Sequence, residues 1–305
     1  MAAGEVQEPC VRVLFSLREN VRLGQGLKEN NVISPHTLHL AISTLKRFKK
    51  VLEDHSIHKV RAVGTAALRN ADNAHVLLES AKSLGMPVDV IDWREEATLA
   101  VKGACNALGG VDSPWAMIDV GGGSTEIVVC KGNEVLKGCS IDIGAVSLLE
   151  AVSNHMAPDA KMLTERARQL LLERLAQTSI PRSGLRHAVG TGGTATTVAA
   201  VDRELEVYDA KRIRGHVISL RKLYRLLNRM AGLDLNERQR IKGLEPQRAD
   251  IFPAGIAILS EIVSYLELNE LIVSDGGLLS GLFAAFIEKE CNFYVEPSCA
   301  RSIYL

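Results

Sequence analysis

The feature that most constrains the fold of this chain is a glycine-rich turn between two apolar segments. The run Asp119–Glu126 reads D-V-G-G-G-S-T-E, with the apolar residues 116–118 before it and a second β-rich segment, 126–130, after it. Short apolar segments on both sides of a glycine turn are typical of strands joined by a hairpin. The sequence therefore predicts strand, turn and strand here, rather than strand, turn and helix.

The same turn has the composition of a phosphate-binding loop. Consecutive glycines allow positive φ and let the backbone approach an anion, and neighbouring hydroxyls add hydrogen-bond donors. The candidate phosphate-binding residues are Gly121, Gly122, Gly123, Ser124 and Thr125. Asp119 and Glu126 are candidate ligands of Mg²⁺, which prefers carboxylate, water and phosphate oxygens. The alternative interpretation is a tight hairpin with capping hydroxyls.

A second glycine-rich turn follows the apolar segment 187–189 and opens a predicted helix. Its candidate phosphate-binding residues are Gly190, Thr191, Gly192, Gly193 and Thr194. Backbone amides at the N-terminus of a helix attract anions. The turn also matches the dinucleotide pattern G-x-G-x-x-A, but no clear strand with a terminal acidic residue follows about 20 positions later. Two such turns at strand ends suggest two walls of one phosphate-binding cleft.

Two further segments could take part in chemistry. Glu95 and Glu96 open a predicted helix, and a carboxylate facing a cleft could polarise an attacking water as a general base. The alternative is that acidic residues favour the first turn of any helix. Arg69 follows a predicted strand and could clamp a phosphate with its planar guanidinium; the alternative is a solvated arginine.

The remaining pattern predicts an α/β protein. Ser34 and Pro35 have the character of an N-cap and a first helical residue, so an amphipathic helix is expected over 34–53. The next predicted elements are a strand at 59–63, a helix at 73–84 and a strand at 88–91. This alternation indicates an α/β domain with a sheet.

A second unit is expected to begin near residue 115. After residue 159 it becomes mostly helical, interrupted by strands at 187–189 and 271–274. No tandem repeat or proline-rich linker marks the boundary, so its position rests on pattern alone.

Charge and composition exclude several classes of protein. The 36 basic residues balance the 36 acidic ones, which removes the long-range basic field that binding to nucleic acid or to an anionic membrane usually needs. The six cysteines form no C-x-x-C pair, which argues against a zinc site or a disulfide scaffold. We therefore expect a cytoplasmic enzyme with neither DNA nor a membrane as a partner.

Taken together, these segments resemble the exopolyphosphatase/guanosine pentaphosphate phosphohydrolase family of the actin, Hsp70 and sugar-kinase superfamily. The resemblance covers nearly the whole chain in family order, and this collinearity is more specific than any single motif. The matching segments are 21–27 (V-R-L-G-Q-G-L), 64–69 (G-T-A-A-L-R), 95–97 (E-E-A), 119–126, 190–194, 248–250 (R-A-D) and 274–276 (S-D-G).

The resemblance implies two ribonuclease-H-like domains with the active site in the cleft between them. By this likeness the first domain spans 1–115 together with a returning C-terminal helix within 284–305, and the second domain spans 116–283. The resemblance also implies roles for single residues: Glu96 as the base that activates water, Arg69 as a clamp, and Asp119 and Glu126 as the carboxylates that position Mg²⁺. A homodimer is plausible because the family tends toward dimers.

The activity implied is Mg²⁺-dependent release of terminal phosphate from inorganic polyphosphate, from guanosine pentaphosphate, or from both. Two alternatives remain open: a phosphotransferase of the same superfamily, and a non-catalytic sensor that binds polyphosphate or a nucleotide. The sensor is motivated by a departure, because the family's opening strand and loop of type D-x-G-[ST]-N has no match here. We therefore expect either a shortened chain or impaired catalysis.

Two smaller departures concern substrate detail. Arg94 stands where the family often has a small residue, and the late G-L-R-E-G pattern reads G-L-L-S-G at 277–281.

Overall fold

The structure is a computed structural model of the 305-residue chain. It describes residues 1–7, 10–19, 21–111, 113–152 and 158–291. The strands are β1 (Ala2–Gln7), β2 (Cys10–Ser16), β3 (Ala62–Gly64), β4 (Val88–Val90), β5 (Pro114–Val120), β6 (Thr125–Lys131), β7 (Glu134–Ile141), β8 (His187–Thr191), β9 (His216–Ser219) and β10 (Glu270–Val273). The helices are α1 (Leu27–Asn30), α2 (Pro35–Asp54), α3 (Ala66–Asn70), α4 (Ala74–Ser83), α5 (Trp93–Leu108), α6 (Ala145–Val152), α7 (Ala160–Leu175), α8 (Gly192–Asp202), α9 (Ala210–Ile213), α10 (Leu220–Ala231), α11 (Leu235–Arg238), α12 (Phe252–Tyr265) and α13 (Leu278–Cys291).

A six-stranded mixed sheet forms the centre of the molecule, in the order β7-β6-β5-β8-β10-β9. The strands β5, β6 and β7 are successive antiparallel neighbours, and β8 and β10 continue the sheet parallel to β5. The edge strand β9 runs antiparallel to β10. Since β5, β8 and β10 are parallel, their carboxyl ends meet at one edge of the sheet, and the loops after them are neighbours.

Both faces of this sheet are covered. In β5, Ala116 and Ile118 point into a large core that contains the almost wholly buried helix α12, whereas Trp115 and Met117 point into a second core against α5. All four side chains are fully buried. A strand buried on both faces is apolar at consecutive positions instead of alternating, which accounts for the apolar run in the sequence.

Helix α5 lies directly against α13 because small residues allow their backbones to approach. A Cβ atom on Gly103 would overlap the carbonyl oxygen of Gly277, and one on Gly281 would overlap the carbonyl oxygen of Leu99. Glycine is therefore required at this crossing for reasons of space. The contact attaches the last described helix to α5, whose first turn contains Glu95 and Glu96.

The predicted helices 34–53 and 73–84 are confirmed as α2 and α4. The Ser34 hydroxyl oxygen accepts a hydrogen bond from the Thr37 amide at 3.1 Å, as an N-cap does. Helix α13 overlaps the expected C-terminal helix over residues 284–291 and begins six residues earlier, and residues 292–305 lie outside the described residues. The division into two domains stays a prediction.

The predicted strand at 59–63 is wrong in its position, since the strand comprises Ala62–Gly64. Its partner β4 has only three residues, and Ala62 already pairs with the first of them, Val88. The edge strand β9 is missed because only one of its residues, Ile218, is buried, which leaves no apolar run to detect. No helix in the described ranges combines the length and apolar character needed to cross a bilayer.

Candidate active site

Three polar residues lie side by side where the parallel strands end. Asp119 on β5 pairs with Glu126 on β6 and, on its other side, with Thr191 on β8. The first glycine turn, residues 121–124, joins β5 to β6, and the second turn begins with Gly190 in β8. The hairpin prediction is confirmed, and the two predicted phosphate loops come together at one edge of the sheet.

The carbonyl groups of the first glycine turn accept hydrogen bonds that hold the turn in place. The Gly122 carbonyl oxygen accepts from the Val146 amide at 2.8 Å, and a Cβ on Gly144 would overlap the Gly122 carbonyl group. Across the described residues the amides of Gly122 and Gly123 have no hydrogen-bond acceptor. These two N–H groups are therefore available to an anion.

The second glycine turn brings the start of α8 against two charged side chains. Gly192 has φ +73, and a Cβ there would overlap the Asp119 carboxylate. A Cβ on Gly193 would overlap the guanidinium of Arg248. Thr191 occupies the N-cap position, but its side chain makes no capping hydrogen bond. The positive end of the helix thus faces the same space as both charged groups.

The threonine hydroxyls of the two turns bind the protein itself. The hydroxyl of Thr125 donates to the Ile143 carbonyl oxygen at 2.5 Å, and that of Thr194 donates to the Val120 carbonyl oxygen at 2.8 Å. The Thr191 hydroxyl donates to the carbonyl oxygen of Gly276 at 2.7 Å. All three side chains are buried. The protons of these hydroxyls are therefore used within the protein, where they shape the turns. The assignment of Thr125 to phosphate binding stays a prediction.

Glu96 and Arg69, which are 27 positions apart, form an ion pair. One Arg69 guanidinium nitrogen donates to Glu96 Oε2 at 2.8 Å and to the Ile91 carbonyl oxygen, also at 2.8 Å. The pair is largely buried, with 20% of the Arg69 side chain and 15% of the Glu96 side chain exposed. Arg69 thus orients the glutamate, whereas the sequence analysis assigned it directly to phosphate. The neighbouring Glu95 points elsewhere and pairs with Arg61.

The carboxylates of Asp119, Glu126 and Glu96 interact electrostatically. Burial, and next the negative charge of Glu96, raises the pKa of Asp119 to about 6, while the cation of Arg248 acts in the opposite direction. Burial, and next the charge of Asp119, raises the pKa of Glu126 to about 7. Carboxyl groups whose ionised forms are disfavoured by burial and by neighbouring negative charges are typical of functional sites.

The donor set fits a magnesium ion that is shared with a substrate. Glu126 Oε1 accepts hydrogen bonds from the hydroxyls of Ser124 at 2.9 Å and Ser140 at 2.7 Å, so its second oxygen is left for a ligand. Within the described ranges no three or more His, Cys, Asp or Glu side chains form a group that could hold a metal by themselves. Mg²⁺ usually keeps several waters and binds through one or two carboxylates plus substrate phosphates. Asp119 and Glu126 suit that mode.

Arg248 is a site residue that the sequence analysis did not assign. Its guanidinium lies over Gly193, and burial lowers its pKa, against the opposing effect of the charge of Glu245. Among the residues that the structure describes, its side chain has neither a hydrogen bond nor an ion pair. The only signal in the sequence was its place in the R-A-D segment. A partly buried, unpaired guanidinium beside two glycine turns is suited to bind a phosphate.

An ion pair next to Arg248 joins two distant parts of the chain. Arg22 donates from one nitrogen to Asp250 Oδ2 at 2.9 Å and from the other to Oδ1 at 3.1 Å. Arg22 also donates to the carbonyl oxygen of Gln247, next to Arg248. The segment after β2 is therefore fixed against the short turn that carries Arg248.

Comparison with known proteins places this arrangement in a family context. The model of the Ppx/GppA phosphatase family matches residues 3–290. Exopolyphosphatase 2 of Mycobacterium tuberculosis is 31% identical over 274 residues, covering 86% of this chain and 85% of that protein. A guanosine-5'-triphosphate,3'-diphosphate pyrophosphatase of Vibrio campbellii is 32% identical over 297 residues, covering 96% of this chain. The match spans only 58% of the Vibrio protein's length.

Solved structures show the same fold. The Aquifex aeolicus member of the Ppx/GppA family superposes with a TM-score of 0.79 at 29% identity. The superposition covers 95% of this chain and 94% of the Aquifex chain. An exopolyphosphatase from Cytophaga hutchinsonii superposes with a TM-score of 0.81 at 26% identity, covering 93% of each chain.

Proposed function

Because the chain belongs to the Ppx/GppA phosphatase family, we propose that it releases the terminal phosphate of inorganic polyphosphate, of guanosine pentaphosphate, or of both. The observation that carries this proposal is one constellation at the end of the central sheet. Three mutually repelling carboxylates, Glu96, Asp119 and Glu126, lie beside two glycine turns and an unpaired Arg248. Its free backbone amides and the Arg248 guanidinium suit a phosphate chain, and its carboxylates suit an attacking water and a metal ion.

In the proposed reaction Glu96 is the general base. Arg69 holds Glu96 Oε2, which leaves Oε1 to accept a proton from water. The water oxygen then forms a bond to the terminal phosphorus, while the bond from that phosphorus to the bridging oxygen breaks. The electron pair of the broken bond stays on the leaving phosphate chain. In-line displacement of this kind depends mainly on positioning and on neutralising charge.

Binding and charge neutralisation are assigned to the remaining residues. The free amides of Gly122 and Gly123, the N-terminus of α8 and the guanidinium of Arg248 are proposed to hold the phosphate oxygens. Asp119 and Glu126 would hold Mg²⁺. When bound, Mg²⁺ supplies positive charge that neutralises phosphate oxygens and relieves the repulsion between the two carboxylates.

The test is phosphate release by the 305-residue chain with Mg²⁺, measured separately on long-chain polyphosphate and on guanosine pentaphosphate. Glu96→Gln is expected to lower kcat by roughly 10²- to 10⁴-fold, since it removes the proton acceptor. Substrate binding should be retained. The matched control is Glu95→Gln, because Glu95 is the adjacent glutamate but pairs with Arg61. Its kcat should stay close to that of the wild type.

Two results would contradict this assignment. Near-full turnover by Glu96→Gln with normal substrate binding would remove Glu96 from the role of base. Tight binding of both substrates by the wild type without phosphate release would favour a sensor over a hydrolase.

A further inference from the structure

An open groove of about 970 Å³ lies between the end of β2, at Ser16, and the segment 204–212. The residues of this groove have no part in the proposed reaction. At its wall, 44% of Tyr208 and 80% of the preceding Val207 are exposed. An exposed tyrosine ring next to an exposed aliphatic side chain is the kind of surface on which a planar ligand stacks.

Hydrogen bonds fix this wall to the edge of the sheet that carries the glycine turns. Arg214, two residues after the segment and at the C-cap of α9, donates from Nε and from a terminal nitrogen to the two oxygens of Asp275, both at 2.7 Å. Asp275 precedes Gly276, whose carbonyl oxygen accepts the hydroxyl of Thr191 in the second turn. The wall of the groove is therefore connected to the second glycine turn through Arg214, Asp275 and Gly276.

Electrostatic contacts agree with this position. Burial raises the pKa of the Tyr208 hydroxyl, and the charge of Asp275 adds to this, whereas Arg18 and Arg214 act in the opposite direction. Arg18 also acts on the pKa of Arg248. Tyr208 thus lies within electrostatic reach of Asp275, and Arg18 lies within electrostatic reach of both Tyr208 and Arg248.

The charges that line the groove indicate which part of a substrate could bind there, a phosphate chain or an aromatic base. Three carboxylates, Glu204, Glu206 and Asp209, line it together with only two cations, Lys211 and Arg212. Glu206 is also paired with Lys242 at 2.6 Å, so the lining has no excess of positive charge and gives no basic track for polyphosphate. A neutral aromatic base needs no such track and gains from stacking on the tyrosine ring.

We propose that Tyr208 is a specificity-determining residue that stacks on the guanine base of a guanosine polyphosphate, whose phosphates occupy the glycine turns. This inference rests on the proposed function, and it extends it by assigning a subsite for the nucleoside. It predicts that the ring contributes to binding of the nucleotide and contributes nothing to binding of inorganic phosphate chains.

The test compares two ligands in calorimetric titrations: guanosine tetraphosphate, which carries a base, and inorganic pyrophosphate, which does not. Tyr208→Ala is expected to weaken binding of guanosine tetraphosphate by roughly 5- to 150-fold, the effect of losing one stack between a base and an aromatic ring. Its affinity for pyrophosphate should be unchanged. Tyr208→Phe keeps the ring and should bind the nucleotide nearly as the wild type does.

Val217→Ala is the matched control, because Val217 is an exposed apolar residue on β9 that does not line the groove. It should leave both affinities unchanged. The proposal is overturned if Tyr208→Ala binds the nucleotide like the wild type, or if it loses affinity equally for both ligands. It is also overturned if the wild type binds guanosine tetraphosphate no more tightly than pyrophosphate. None of these measurements needs turnover, so they are decided independently of phosphate release.

Discussion

At the scale of single residues, the ionised form of Asp119 is disfavoured electrostatically at this site. It is neighbour to Glu126 in the sheet, its carboxylate lies against Gly192, and the charges of Glu96 and Arg248 act on it from two further segments. A buried carboxylate with acidic neighbours destabilises the folded protein whenever it is ionised. The site is therefore expected to be less stable without a cation than with one.

The first prediction follows from the raised pKa of Asp119, which is about 6 against an ordinary value of 3.8. The folded chain holds this proton more tightly than the unfolded chain, so the stabilisation present below pH 4 is lost as the pH rises through about 6. In protein treated with chelator, Asp119→Asn should gain roughly 1 to 3 kcal/mol of unfolding free energy over the wild type between pH 5 and pH 8.

Urea unfolding at several pH values measures this difference. A difference between variant and wild type that does not change with pH would show that the carboxyl titrates normally in the folded state. Added Mg²⁺ should stabilise the wild type more than Asp119→Asn, because the cation binds the ionised carboxylate.

The second prediction concerns Arg248. Replacing it with methionine removes the guanidinium and keeps a long apolar side chain over Gly193. We expect KM for either phosphate substrate to rise roughly 10- to 100-fold, because the substitution removes a charge-assisted hydrogen bond from the guanidinium to phosphate. Arg182→Met is the control, since Arg182 lies over the ring of Tyr265 and away from the glycine turns. Steady-state kinetics that leave KM unchanged in Arg248→Met would remove Arg248 from the phosphate site.

At the scale of elements, the position of Glu96 depends on how α5 packs. The helix begins at the site with its N-cap Asp92, whose carboxylate accepts from the amides of Arg94 and Glu95. Further along, Gly103 lies against the backbone at Gly277, just before α13. A displacement at this crossing would move the glutamate, because a helix transmits a shift along its length.

The third prediction tests this crossing with Gly103→Ala. Alanine favours helices, but its Cβ would overlap the carbonyl oxygen of Gly277, so overpacking should outweigh propensity and cost about 1 to 3 kcal/mol of unfolding free energy. Phosphate release should fall as well, with kcat affected more than KM. Gly24→Ala is the control, because no atom lies within 4 Å of a Cβ at that position and it has no positive φ. Equal stability of the two variants would show that α5 and α13 can separate without cost.

At the scale of the whole molecule, the site depends on contacts between segments far apart in the chain. Arg22 and Asp250 are separated by 228 positions and fix the segment after β2 to the turn that carries Arg248. Their side chains are 26% and 38% exposed, so water and salt screen the attraction between the two charges only in part. This contact is expected to stabilise the arrangement of the site more than the fold.

The fourth prediction is a double-mutant cycle with Arg22→Ala and Asp250→Ala. The coupling in unfolding free energy should be about 0.5 to 2 kcal/mol, since the pair is bidentate and partly buried, and it should decrease at high salt. The control cycle uses the exposed pair Lys161 and Glu165 on α7, whose coupling should be about 0.5 kcal/mol or less. A coupling at Arg22 and Asp250 no larger than in the control pair would make the contact incidental.

The sequence by itself determined the parts of this protein that depend on local pattern. The apolar run into Gly121 predicted the hairpin, and Ser34 predicted the start of α2. The order of seven matching segments along the chain indicated the family, which the family model confirms. The roles of Mg²⁺ and of Glu96 stay predictions. These local features could be inferred because turn geometry, capping and strand burial act between residues within a few positions of each other.

Only the tertiary structure decided how the side chains of the site are used. Thr125 and Thr191 have the composition of phosphate donors, yet their hydroxyls satisfy carbonyl groups 18 and 85 positions away. Arg69 orients Glu96, and Arg248 reaches Gly193, through contacts for which the sequence carries no local signal. Burial of a polar group requires a partner, and which partner comes within 3 Å is set by how distant segments pack.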